Sequence, residues 1–184
     1  MRLLRPLALG ACLAGLLLSP ARALTDPHTG FGIEPPAPFT VEVSPPQGED
    51  LAFSLRSSTG APPAAGTGAL CRVGLKLPVP GLPADQAAFN ARIDDKKVRE
   101  EIRKPLKPRY SIESETEFDL KGARGVQFIG IPKAGPNADQ VRVVLSFVET
   151  PRGRVSLVCA TPAASLEAAL PAFSAIRSSI LLPR

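Results

Sequence analysis

Four acidic side chains, Glu113, Glu115, Glu117 and Asp119, stand at alternate positions in the sequence. On an extended strand, alternate residues point to one face. Such a row of carboxylates could recruit a cation or a basic partner. Together with Glu149 it could also serve a carboxylate-dependent hydrolase, such as a glycan-cleaving enzyme. That chemistry needs two carboxyls at a set distance across a cleft, which one exposed strand face does not supply. A solvated face, or one paired across the sheet with basic residues, is the plainer reading. The basic run Lys96, Lys97, Arg99, Arg103, Lys104, Lys107 and Arg109 is the second charge feature. It could touch anionic lipid or another envelope polymer. Asp94, Asp95, Glu100 and Glu101 dilute it, so a solvated helix with local ion pairs is expected.

Other catalytic chemistry finds no residues. The single histidine, His28, stands in a stretch of turn formers. A Ser-His nucleophile, a G-x-S-x-G turn and an H-E-x-x-H pair are all missing. The glycine loops Gly66–Gly68 and Gly122–Gly125 are not followed by Lys-Ser/Thr, so neither is a phosphate-binding loop. Cysteine and histidine are too few for a zinc site, and there is no C-x-x-C. No catalytic, cofactor or metal-ligating residues are assigned.

The N-terminus reads as a secretory signal covering residues 1–23. Arg2 and Arg5 supply a positive start. Leu7–Leu18 is a 12-residue apolar run, shorter than the ~20 residues of a spanning helix. Ala21-Arg22-Ala23 offers small residues for cleavage between Ala23 and Leu24. The alternatives are an uncleaved anchor, or lipidation at Cys12 after Leu9-Gly10-Ala11. Cleavage leaves 161 residues, no transmembrane span and two of the three cysteines, Cys71 and Cys159. Both sit on the apolar faces of expected strands. In an oxidising compartment they are expected to form a disulfide. Three of the 22 basic residues and none of the 17 acidic ones precede Leu24, so the remainder carries only +2. That charge, with one Tyr and no Trp, argues against a nucleic-acid partner.

These residues need a scaffold, and its elements follow from periodicity. Residues 24–38 read as an irregular arm, and 39–184 as a single α+β domain. Alternation predicts strands over Phe39–Ser44 (Phe39, Val41 and Val43 inward), Leu51–Ser57 and Leu70–Leu77 (Cys71, Val73, Leu75 and Leu77 inward). Ser58–Gly68 reads as a loop. Helical spacing follows over Asp85–Ile93 and, capped by Asp95, through Val98 and Ile102. The strand Tyr110–Leu120 is expected to place its even-numbered residues on one face and its acids on the other. It returns through Lys121–Gly125 into Val126–Ile131. Val141–Val148 and Arg154–Ala160 flank the turn Thr150-Pro151-Arg152-Gly153. Thr161 and Pro162 are expected to open a C-terminal helix running through Ile180, kinked at Pro171. Segregated strands and helices predict a mostly antiparallel sheet with helices packed on it.

The opening Thr25-Asp26-Pro27-His28-Thr29-Gly30-Phe31-Gly32-Ile33, followed by Pro35-Pro36-Ala37-Pro38-Phe39, resembles the start of PsbP-like proteins. Arg152-Gly153-Arg154 through Cys159 to Phe173, Ile176 and Ile180 is similar to that family's last hairpin and packing helix. The resemblance implies the Mog/PsbP α/β/α sandwich. The family includes photosystem extrinsic proteins, the Ran-binding Mog protein and secreted bacterial proteins of unknown function. It implies a scaffold or binding module more often than an enzyme. The expectation is thus a periplasmic or secreted, non-catalytic module that binds an envelope protein or polymer. The alternatives are the carboxylate hydrolase and a small-ligand carrier with a pocket between sheet and helices.

Overall fold

A computed structural model describes residues 23–66 and 68–184; the expected signal residues 1–22 lie outside the described part. The main sheet has seven strands: β3 (Phe39–Val43), β4 (Leu51–Ser57), β5 (Cys71–Lys76), β6 (Tyr110–Leu120), β7 (Ala123–Pro132), β8 (Val141–Thr150) and β9 (Gly153–Pro162). Their order is β3-β4-β5-β9-β8-β7-β6, antiparallel throughout. Two hairpin-connected runs, β3–β5 and β6–β9, therefore meet along one seam, where β5 pairs with β9. Between them the chain leaves the sheet to form α1 (Gln86–Asp94) and α2 (Lys96–Arg103). Asp85 caps α1 through the Ala88 N–H, and Asp95 caps α2 through the Lys97 N–H. The Asp95 cap is the one the sequence predicts.

Each face of the sheet carries its own apolar cluster. On one face Cys71, Val73, Leu75, Val155, Leu157 and Cys159 pack with Phe173 and Ile176 of α3 (Leu166–Ser178). On the other, Val126, Phe128, Val143 and Leu145 pack with Ile93 of α1 and Ile102 of α2. Helices thus cover both faces, the α+β arrangement expected.

Several local expectations change. The stretch 24–38, expected to be irregular, carries β1 (Leu24–Thr25) and β2 (Gly32–Ile33). They form a small sheet with β10 (Ile180–Leu181), in the order β1-β2-β10. Phe31 and Ile33 are fully buried in the α3-side core, which turn-rich composition does not announce. Gly32 is required there, since a Cβ would stand 2.4 Å from the Leu24 carbonyl oxygen. Ile180 belongs to β10 rather than to the last helix, and Pro162 ends β9 instead of opening that helix. Ala163–Ser165 form a 3-10 turn first, and α3 is continuous through Pro171. Val43 and Leu77, expected inward by alternation, are exposed, because each stands where its strand is already running out.

A bulge in β6 changes the sidedness of the acidic row. Ile112 lies opposite Gly130, but Ser114 lies opposite Ile129, so Glu113 is the extra residue. An extra residue shifts the alternation beyond it. Tyr110 and Ile112 therefore pack on the α1/α2 side, whereas Phe118 and Leu120 pack on the α3 side.

Candidate functional site

The bulge divides the four acids. Glu115 and Glu117 stand opposite Phe128 and Val126, on the face covered by α1 and α2. There the basic run meets them. Arg99 of α2 approaches Glu115 at 3.5 Å and also bonds Glu117. Arg124 of β7 bridges the second oxygen of Glu117 at 2.6 Å and Asp94 of α1 at 2.7 Å. Those two acceptors raise the Arg124 pKa further, Asp94 more than Glu117. Glu113, on the opposite face, pairs instead with Arg142 of β8 at 2.7 Å. Asp119 accepts the Gly122 N–H at 3.0 Å within the turn Lys121-Gly122. The two charge features read separately in the sequence are thus partly one: an ion-pair belt joining helix α2, strand β6 and strand β7.

Of the rest of the basic run, Arg103 is half-buried, while Lys96, Lys97, Lys104, Lys107 and Arg109 are exposed. Lys107 pairs with Glu100 and holds that carboxyl below its ordinary value. Lys96, Lys97 and Lys104 border a shallow depression that they share with Glu100 and Glu101. Acids are interleaved with the lysines on this surface, as expected.

A groove of about 320 Å³ lies beside β1 and is lined by Leu24, Pro27, Val43, Pro46, Leu51 and Phe53, among others. Two carboxylates reach it. Asp26 accepts the Thr29 N–H at 2.7 Å and the Thr29 hydroxyl at 2.8 Å. Those bonds lower its pKa. Asp50 accepts the Leu77 N–H at 2.7 Å and pairs with Lys76 at 3.1 Å, which lowers it likewise. Nearby, partial burial pushes Glu49 up, but bonds from Arg72 and from the Gln47 N–H outweigh it and hold the pKa low. Arg72 also reaches the Ser44 hydroxyl and the Pro45 carbonyl. His28 is exposed on the Asp26 turn.

Cys71 and Cys159 stand directly opposite each other across the β5–β9 seam. Their Cα atoms are 4.0 Å apart and their sulfurs 2.06 Å apart. The neighbouring Ala160 N–H bonds the Leu70 carbonyl, so the cysteines occupy a non-hydrogen-bonded position, where side chains approach most closely. Ala23 is exposed, and Leu24 begins β1.

One polar cluster goes unread in the sequence. Arg177 of α3 lies over the Phe118 ring, 4.1 Å from its centroid, and donates to Gln127. The buried Ser146 hydroxyl donates to the same Gln127 oxygen at 3.3 Å. Burial lowers the Arg177 pKa. The cluster fixes α3 on the sheet. Its only sequence signal is a cation near the end of a helix.

In overall arrangement the chain is similar to the solution structure of cyanobacterial PsbP (CyanoP) from Synechocystis sp. PCC 6803. The TM-score is 0.53 at 10% identity, over 95% of this chain and 98% of that one. The fold is PsbP-like. A crystal structure of a protein of unknown function from Pseudomonas aeruginosa aligns with a TM-score of 0.43 at 13% identity, over 83% of this chain and 91% of that one. No family model and no curated protein matches the sequence. The PsbP-like likeness fixes architecture, while function has to come from the surfaces themselves. Among the described residues, no helix is long and apolar enough to cross a membrane.

Proposed function

We propose that the protein is an exported, non-catalytic module that binds a partner in the periplasm or outside the cell, with Cys71 and Cys159 cross-linked. The observation that carries this reading is how the carboxylates are used. Glu113, Glu115 and Glu117 are each engaged by an arginine. Glu149, which completes the candidate hydrolase set, pairs with Arg154 at 2.7 Å. The PsbP-like scaffold is consistent with a binding role. The groove of about 320 Å³ favours a second reading, a carrier of a small, mostly apolar ligand, although it lies between strands beside β1 and not between sheet and helices as expected.

The test is fractionation of cells expressing the full chain, with N-terminal sequencing and cross-linked pull-down from the envelope fraction. A product beginning at Leu24 with a reproducible envelope partner is expected. An intact Met1 in the cytoplasm, or turnover of a glycan by the purified protein, overturns the proposal. Native mass spectrometry showing a co-purified small molecule would favour the carrier.

A further inference from the structure

The loop joining β5 to α1 concentrates exposed apolar surface. Large apolar side chains that stand exposed among the described residues are Val43, Leu77, Val79 and Leu82. Three of these four lie within six residues of one another. Val79 is 63% exposed. Pro78, Pro80 and Pro83 alternate with them, and Gly81, at φ 90°, turns the chain between Pro80 and Leu82. A collar of cations stands around this tip. Lys76, Arg92 and Arg154 line the depression of about 260 Å³ that includes Leu77, Val79 and Leu82. Arg152 lines the one on the other side, with Pro78 to Ala84. Lys76 and Arg154 are paired with Asp50 and Glu149. Arg92 and Arg152 have no carboxylate partner among the described residues. The Arg92 guanidinium lies 5.8 Å from the Phe89 ring centroid, on the loop side of α1.

We infer that this loop is a membrane-docking tip, in which Leu77, Val79 and Leu82 enter the headgroup–acyl boundary of an anionic phospholipid surface while Arg92 and Arg152 meet its phosphates. Three features single out a lipid surface. The apolar groups are aliphatic and exposed within one short segment, residues 77–83, which suits shallow insertion among acyl chains. Backbone donors are costly in a medium without water. Proline has none, and the Leu77 N–H is already bonded to Asp50. The unpaired cations line the depressions that the loop residues share, beside the apolar side chains. Three aliphatic side chains and two arginines make a weak, reversible attachment that needs both contributions. The inference rests on the proposed exported binding role and names the partner surface.

Sedimentation with vesicles tests it, using the protein purified from cells. One set contains equal parts phosphatidylglycerol and phosphatidylcholine, the other phosphatidylcholine alone. Binding to the anionic set only, weakened by salt, is expected. Val79→Asp with Leu82→Asp should lower partitioning on the order of tenfold or more. Arg92→Gln with Arg152→Gln should lower it about fivefold per arginine and flatten the salt dependence. Val79, Leu82 and Arg152 are exposed and Arg92 is half-buried, and the melting temperature of each variant verifies folding. Lys96→Gln with Lys97→Gln, on the outer face of α2, should change nothing. No binding to the anionic vesicles, binding that survives the loop variant, or binding lost with the α2 variant overturns the inference. An envelope protein captured without vesicle binding overturns it while leaving the proposed function standing. Vesicle binding by a protein that stays in the cytoplasm does the reverse.

Discussion

Arg99 sits 22% exposed between Glu115 and Glu117, and Arg124 closes the same cluster from the neighbouring strand. Pairs this close to solvent contribute modestly, because water already stabilises the separated charges. Replacing Glu113, Glu115 and Glu117 together with Gln should therefore shift unfolding free energy by no more than about 1 kcal/mol, read from urea denaturation. Calorimetric titration with calcium should give no saturable heat, since arginines already engage these carboxylates. A micromolar calcium signal lost in the Gln variant would sink that assignment. Acid provides a second test. Asp26, Glu49, Asp50 and Glu100 have folded-state pKa values below their ordinary 3.8 or 4.5. In acid the unfolded chain then binds more protons than the folded one, so stability rises with pH there. The melting temperature should be flat near neutrality and fall as pH drops through about 4. A fall that sets in above pH 6 would contradict this. The charges themselves were legible, but their partners were not. Arg99 and Glu117 come together only when α2 packs across the sheet.

The bulge in β6 makes a sharp demand on the strand. Glu113 is the surplus residue, so residues on either side of it already have their correct partners on β7. Deleting Glu113 removes one exposed ion pair and restores plain alternation, with Ile112 still facing α1/α2 and Phe118 still facing α3. The cost should be about 1 kcal/mol or less. Deleting Ser111 instead leaves no spacer between Tyr110 and Ile112, so one of the two is turned off the α1/α2 face and loses burial. That should cost several times more. Equal melting temperatures for the two deletions would exclude this account of the bulge. Strand existence and most boundaries follow from alternation, as for Leu51–Ser57 and Tyr110–Leu120. Sidedness along β6 does not, because a run of Ser, Glu and Thr gives alternation no apolar landmark between Ile112 and Phe118. The short strands β1, β2 and β10 escape notice for a related reason: two residues have no period.

The β5–β9 seam is where the two hairpin-connected halves of the molecule are joined, and Cys71 faces Cys159 across it. With that register, protein recovered from an oxidising compartment should carry the cross-link. Both cysteines should resist alkylation in unfolded, unreduced protein, as read by intact mass. Closing 87 intervening residues contributes up to ~4–5 kcal/mol in the chain-entropy model. Reduction should lower the melting temperature without changing the fold, because the seam also holds six paired positions from Cys71 to Lys76. Free thiols in freshly isolated protein would refute the cross-link. Apolar strand faces made the two cysteines recognisable as inward residues, but strand order, which alone makes them neighbours, is not written in local sequence. The small sheet at the chain ends has a consequence of another kind. β2 lies between β1 and β10, and the Arg184 N–H bonds the Thr29 carbonyl. Phe31 and Ile33, among the first residues of the described chain to leave the ribosome, thus receive their last covering from Ile180 and Leu181, among the final ones. The small sheet therefore closes late: a segment near the start of the described chain waits for residues 180–181 before its burial is complete.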